Sequence, residues 1–212
     1  MYRSKLIYKW VNIEMIKFRN KIIQEEKEVI IEAVLTTLNS DKTPHFSTAG
    51  VKLNADIVEF YLYKSSKTAE NLINTKKGVI NITDSALHIV KSALSEPDFE
   101  VHKTADTNCF YLKNSCRYLE FNAAEAAEKK EKYLIRADII SRNNLREYIG
   151  FNRASNLLVE AAVMASRIGI SCSSEEARNF LQKNRRIIIK TAGAAEIKCY
   201  NFLKKYLKYP GG

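Results

Sequence analysis

The 212-residue chain predicts an α+β protein, a β-rich body of locally paired antiparallel strands followed by a C-terminal helical subdomain. Three observations predict it. Between Val29 and Tyr63, β-branched and aromatic runs alternate with short turn clusters. After Gly150 the apolar spacing becomes helical and stays so. No Pro- or Gly-rich linker and no domain-scale repeat divides the two.

Residues 1–27 form an N-terminal extension in which basic residues mix with loosely helical Leu6, Ile7, Trp10, Ile13 and Phe18. Met15 offers a second start, which would make residues 1–14 dispensable. Val29–Leu38 reads as a strand buried on both faces. Asn39–Thr43 has turn chemistry, and Pro44 precedes a second strand from His45 to Leu53, where its missing N–H is tolerated. Asn54–Asp56 turns the chain into a third strand, Ile57–Tyr63, and the three make a β-meander. Thr68–Asn74 is a short helix that Lys76-Lys77-Gly78 stops, with Gly78 as its cap. Val79–Thr83 is a strand and Ser85–Leu94 an amphipathic helix. Residues 99–115 read mostly as loop.

Ala123–Lys130 carries strong helix propensity between two strand-like runs, Arg117–Phe121 and Tyr133–Ile140. A barrel requires a long hairpin turning near Glu128–Glu131, and that is the reading adopted. Asn152–Ile168 is apolar almost all round and predicts a buried helix. Ser173-Ser-Glu-Glu176 is a capping box opening a second helix, and Ala194–Leu207 makes an amphipathic third.

Composition narrows the function classes. No apolar run approaches the roughly 20 residues that span a bilayer, and no secretory signal pattern opens the chain. The net charge of +10 invites a nucleic-acid reading, with local basic excess at 1–27 and 183–208, but a generic basic surface accounts for it better. The charges otherwise spread along the chain without zinc-finger or RNP-like spacing, which argues against specific nucleic-acid binding. Cys109, Cys116, Cys172 and Cys199 form no C-x-x-C pair and fit reduced, non-catalytic thiols in a cytoplasmic protein.

Two stretches carry chemistry. Lys64-Ser-Ser-Lys-Thr68 places three hydroxyls and two ammonium groups directly before a helix N-terminus, a pattern suited to a phosphate group. The same residues also make an ordinary polar turn with Ser66 or Thr68 as N-cap. Ser47-Thr-Ala-Gly-Val51 supplies small residues on a strand, against which a flat ring can lie; a strand ending in a glycine bulge fits them equally. No P-loop or G-x-G-x-x-G motif occurs. His45, His88 and His102 read as structural or surface positions, Arg153 has a structural role, and no acid–base residue stands out.

The pattern Thr-x-Asn-x-Asp-x-x-Pro-His before Ser47–Val51, Lys64-x-Ser-x-Thr68-x-x-Asn71-Leu72, and Val79-x-Asn81-x-Thr83-Asp84 resembles the flavin mononucleotide (FMN)-binding split-barrel superfamily, of flavin reductase and pyridoxamine-phosphate-oxidase type. Gly150-Phe-Asn-Arg-Ala154 and Arg186-Ile-Ile-Ile-Lys-Thr-Ala-Gly193 place it nearest that superfamily's uncharacterised, largely archaeal branch with a helical C-terminal region. The resemblance covers about residues 29–207. It implies an antiparallel split β-barrel over 28–145, a helical subdomain over 146–212, and FMN at the interface of a homodimer. It implies that Ser47, Thr48, Ala49, Gly50 and Val51 line the isoalloxazine ring. Lys64, Ser65, Ser66, Lys67, Thr68 and Asn71 would hold the phosphate and ribityl chain, with Asn81 and Thr83 near the ring. The implied activity is of oxidoreductase type with NAD(P)H as electron donor. Alternatives are a deazaflavin cofactor on the same scaffold, or flavin binding and sensing without turnover. The chain departs from the superfamily in two places: Lys42 stands where its first turn usually has Gly, and Thr48-Ala49 where Pro-Met is common.

Overall fold

A computed structural model describes residues 29–208. The extension over 1–27 and the second start at Met15 lie outside the described residues. Six strands close an antiparallel barrel in the order β1-β2-β3-β8-β7-β4. They are β1 (Ile30–Leu38), β2 (Pro44–Asn54), β3 (Ile57–Tyr63), β4 (Lys77–Ile82), β7 (Arg117–Lys129) and β8 (Lys132–Asn144); β5 (Val101–Lys103) and β6 (Phe110–Leu112) form a separate two-stranded sheet. The meander is therefore as expected, and β1 closes the ring by pairing Val34 with Asn81 and Leu35 with Ile80 on β4.

The first turn explains how Lys42 replaces glycine. Lys42 adopts φ 66°, the left-handed region, and donates its N–H to Asn39 O at 2.9 Å. Asp41 braces the turn by accepting from Thr43 N at 3.0 Å. The strain of a side chain there is offset by hydrogen bonds within five residues.

Helix propensity loses to pairing in the middle of the chain. Ala123–Lys129 belongs to β7, whose thirteen residues run against the thirteen of β8 through Ala123↔Ala137 and Ala126↔Ile135, with Lys130 at φ 48° in the turn. Residues 99–115 are mostly loop, as expected, with β5 and β6 forming a small hairpin within them. Buried Asn81 pins it, accepting from Leu112 N at 2.8 Å while donating to Val34 O and Thr36 Oγ1. Glu120 on β7, fully buried, accepts from Thr107 N at 2.8 Å, Thr107 Oγ1 at 2.7 Å and Ser141 Oγ at 3.1 Å. Burial pushes its carboxyl up, but the hydrogen bonds from Thr107, Thr104 and Ser141 outweigh it and leave the pKa below the ordinary value.

The helices are α1 (Lys67–Thr75), α2 (Ala86–Leu94), α3 (Arg153–Ser166), α4 (Ser174–Thr191) and α5 (Ala194–Tyr206). The expectation of a glycine cap on α1 is corrected. Lys76 takes the left-handed C-cap position at φ 55°, and Gly78 lies inside β4, opposite Phe121. Ser173 and Glu176 form the expected reciprocal capping box on α4.

Two cores result. Leu35, Val51, Phe60, Ile80, Phe121 and Ile135 fill the barrel, with Ala69 and Leu72 of α1 packed among them. The second core joins α3, α4 and α5 with α2, whose Ala86 and Val90 meet the alanine-rich face Ala154, Leu158, Ala161 and Ala165. Small side chains on that face let helices approach closely, so α2 packs with the C-terminal helices although the chain inserts it between barrel strands. Val34 and Phe46 on the outer wall meet Ile89 of α2 and Leu112 of β6.

Candidate functional site

The N-terminus of α1 falls within Lys64–Thr68. Ser66 is the N-cap: its Oγ accepts from Ala69 N at 3.2 Å and donates to Tyr63 O at 2.8 Å. The first-turn amides of a helix have no intrahelical acceptors and, with the helix dipole, favour an anion. Lys64 N donates to Glu131 O at 3.0 Å, which fixes the turn against the β7–β8 hairpin. The Lys64 ammonium reaches Glu128 at 2.5 Å and lies 5.4 Å from the centre of the Tyr133 ring. The Glu128 hydrogen bond raises the Lys64 pKa, so this lysine stays charged. Lys67 pairs with Glu70 at 3.2 Å, and Ser65 is exposed.

Thr68 and Asn71 turn inward from that turn. Thr68 is 1% exposed; its Oγ1 donates to Ser47 Oγ at 2.7 Å and lies 3.2 Å from His45 Nε2. The other ring nitrogen of His45 is 3.4 Å from Glu96. Asn71 donates to Thr37 Oγ1 and Asn39 Oδ1, both at 3.1 Å. The Thr68–Ser47 bond thus ties the helix start to β2.

On β2 the side chains alternate. Ala49 and Val51 point into the barrel core, whereas Thr48 points outward and donates to Ile89 O of α2 at 2.9 Å. All five residues therefore cannot present side chains to one ring. Their backbone can: β2 pairs with β3 only from Val51↔Phe60 to Asn54↔Ile57, so Ser47–Gly50 extend past the end of that ladder. There β2 and β3 part, and the backbone N–H and C=O groups on that edge have no ladder partner on β3.

Asn81 and Thr83 sit elsewhere. Asn81 is fully occupied in the β1–β4–β6 network described above. Thr83 Oγ1 is 3.0 Å from His88 Nδ1 and accepts from Ser85 N at 3.1 Å, shaping the entry to α2. Burial lowers the His88 pKa, which favours the neutral ring in that contact. Thr83 also lines a cavity of about 430 Å³ between the β4–α2 junction and the start of α3, with Ile31, Asp84, Tyr148 and Asn152 among its walls. A neighbouring cavity of about 590 Å³ shares Ile82 and Tyr148 with it and adds Cys116, Arg117 and Arg146. Neither cavity is lined by residues of 47–51 or 64–68.

Sequence reasoning passed over Arg146. Its guanidinium grips Asp84 through both terminal nitrogens, one at 2.8 Å, and donates to Asn114 O at 3.0 Å. The Asp84–Arg146 ion pair holds the Asp84 carboxyl well below the usual carboxylate range, and Ile149 N adds a hydrogen bond at 3.0 Å. Asp84 closed one of the quoted patterns, but nothing in sequence ties it to an arginine 62 residues on.

The family model described as "Protein of unknown function (DUF447) N-terminal domain" matches residues 31–146, and a second described as "Protein of unknown function (DUF447)" matches 152–205. The chain belongs to DUF447. An uncharacterized protein of Methanocaldococcus jannaschii is 26% identical over 189 residues, 80% of this chain and 93% of its own length. Among solved structures, an FMN-bound DUF447 protein from Methanosarcina mazei superposes with a TM-score of 0.73 at 20% identity, covering 85% of this chain and 96% of that one. A nitrilotriacetate monooxygenase component B homologue from Mycobacterium thermoresistibile gives a TM-score of 0.50 at 12% identity, over 65% of this chain and 79% of its own. These likenesses establish the split-barrel fold for this DUF447 chain. Among the described residues, no helix is long and apolar enough to cross a membrane.

Proposed function

We propose that this chain is an FMN-binding flavoprotein of oxidoreductase type that holds its flavin at the interface of a homodimer. The Thr68–Ser47 hydrogen bond carries the reading, because it fixes a phosphate-type helix N-terminus beside an open strand edge. The M. mazei DUF447 protein, which is FMN-bound and shares the fold over most of both chains, supports it.

The donor set fits the group. An FMN phosphate brings close to two negative charges and takes N–H, O–H and cationic partners. Ser65 and the first amides of α1 supply donors, Ser66 holds the turn as its N-cap, and Lys64 and Lys67 supply charge. Both lysines now face carboxylates whose side chains are 70% and 60% exposed. Such exposed pairs are worth about 0–1 kcal/mol, so a dianion can displace the carboxylates. Thr68, His45 and Asn71 hold the turn from beneath, and the split edge of β2 offers backbone groups to the ring. FMN, once bound, supplies the electron-transfer chemistry.

Replacing Ser66 or Thr68 by Ala should weaken FMN by about tenfold and riboflavin, which lacks the phosphate, much less. Flavin fluorescence titration reads both; equal losses for the two ligands remove the phosphate assignment. Bleaching of bound flavin by NAD(P)H without oxygen separates an enzyme from a passive binder.

The homodimer reading rests on the segment joining β8 to α3. Ile149 is 87% and Phe151 91% exposed, beside Tyr148 and Leu145, which line the cavities. Large apolar residues crowded on one exposed segment mark an interaction surface. Light scattering should give twice the chain mass, and Ile149→Asp/Phe151→Asp should shift the protein to monomer and weaken FMN together. A dimer that persists in that variant places the interface elsewhere.

A further inference from the structure

The basic excess of the described residues lies at their C-terminal end. Residues 177–208 hold nine Lys and Arg against one Glu, net +8 of the chain's +10, whereas residues 29–176 hold eighteen against nineteen carboxylates. That single acid, Glu196, is turned into the fold, accepting from Ser155 Oγ at 3.0 Å and Gly193 N at 2.9 Å. None of these cations belongs to the residues of β2 and α1 proposed above to hold the flavin.

The cations are ordered along the helices. On α4, Lys183, Arg186 and Lys190 follow at i, i+3 and i+7, all exposed. On α5, Lys198, Lys205 and Lys208 follow at i, i+7 and i+10, the last just past the helix end, and again all exposed. At about 1.5 Å rise per residue, the α4 stripe carries one positive charge every 5 Å or so. Among the described residues, no carboxylate forms an ion pair with any of these six. Like charges at this spacing repel and cost helix stability, and a polyanion removes that cost.

Two anionic partners are chemically open, a membrane surface and a nucleic acid. A membrane-surface helix needs a free apolar face to sink below the headgroups. These helices expose only Ile189 and Tyr206 among their large apolar residues, one on each, while Leu181 and Ile188 of α4 and Cys199 and Leu203 of α5 are buried in the helical core. Their exposed surface instead mixes cations with Asn179 and Asn201, hydrogen-bonding groups suited to phosphate and sugar oxygens. We propose that the basic face of the α4–α5 hairpin is a sequence-independent docking surface for the phosphate backbone of a nucleic-acid duplex. The proposal stands apart from the flavin reading and does not depend on it.

The test uses the full chain, a labelled mixed-sequence DNA duplex and fluorescence anisotropy across a salt series. Wild type should bind at low salt and weaken steeply as salt rises, with a slope that counts the phosphates contacted. Lys183→Gln/Arg186→Gln/Lys190→Gln should bind about tenfold or more weakly and lower that slope by roughly two to three. Lys198→Gln/Lys205→Gln/Lys208→Gln should behave likewise. All six side chains are exposed, so circular dichroism and FMN affinity should be unchanged in both variants. Duplex affinity that is unaltered in both variants overturns the proposal. So does a wild type that fails to bind at low salt, or that floats with phosphatidylserine vesicles while ignoring the duplex.

Discussion

Gly78→Val should destabilise the protein by about 2 kcal/mol or more, and Gly78→Ala by about 1–2 kcal/mol. On strand propensity alone the sign is opposite, because glycine inside a strand is worse than alanine by roughly 0.5–1 kcal/mol. Geometry decides against propensity. A Cβ at Gly78 would meet Phe121 Cζ at 2.6 Å, Phe121 Cε1 at 2.9 Å and the Thr36 carbonyl oxygen at 3.2 Å. The Phe121 ring cannot swing away cheaply, since it is fully buried and packs edge-on against Phe60 with ring centres 5.7 Å apart. Urea unfolding reads the effect as a fall in midpoint at constant m. The double variant Gly78→Ala/Phe121→Leu supplies the decisive arm. With the ring gone, adding the methyl should cost less than it does in wild type, a coupling of about 1 kcal/mol. Additive losses mean that Phe121 is not what the methyl strikes.

Gly78 also shows what was legible in the fold and what was not. The strands β1 to β3 announce themselves because each is a β-branched run bounded by its own turn, although β3 pairs with β8 over seven residues and with β2 over only four. The long β7–β8 hairpin was legible only through the need to close a barrel, since Ala123–Lys130 locally prefers helix and is overruled by partners on β8. Lys76-Lys77-Gly78 read as a helix stop with glycine as its cap. Lys76 makes the stop, and glycine is required two residues later by a phenylalanine 43 positions away. Steric demands of that range leave no local trace, nor do the pairings that form a hairpin within residues 99–115, held by Asn81 and Glu120.

The candidate site divides along the same line. Lys64–Thr68 was legible because a helix N-terminus and its cap are local events. The link from Thr68 to Ser47, the support from His45 and Glu96, and the parting of β2 from β3 are tertiary. In sequence His45 has the look of a structural or surface residue; in the structure its ring contacts Thr68 and Glu96, beneath the proposed phosphate turn. Thr48 and Ala49, which replace the superfamily's common pair, face opposite ways. Ala49 fills core, and Thr48 anchors β2 to α2. The replacement therefore bears on packing around the strand more than on donors offered along its edge.

Arg146→Met should cost about 2 kcal/mol and should also flatten the acid limb of the stability curve. The Asp84 side chain is 8% exposed and Arg146 is 35% exposed, so the pair lies between an exposed bridge worth about 0–1 kcal/mol and a buried one whose rupture costs about 3–5 kcal/mol. Removing Arg146 strands a nearly buried carboxylate on the Ile149 N–H and the Cys116 thiol and frees the Asn114 carbonyl. Removing Asp84 instead leaves the guanidinium partly in water and still bonded to Asn114 O, so Asp84→Asn should cost less. The pH dependence follows from the direction of the shift. Asp84 binds its proton less readily folded than unfolded, so its contribution is complete above the ordinary carboxylate pKa of about 3.9 and is lost as pH falls through the lower folded value. Wild-type stability should accordingly fall below about pH 4, whereas in Arg146→Met the cation that depressed the carboxyl is absent and burial pushes its pKa upward. Urea midpoints measured from neutral pH down to pH 3 distinguish the cases. An acid limb of equal steepness in both proteins shows that other carboxylates govern it. Because Arg146 and Ile149 join the end of β8 to the segment proposed as the dimer surface, Arg146→Met should loosen that segment as well. Amide hydrogen exchange over residues 146–151 should rise before exchange in β7 and β8 does.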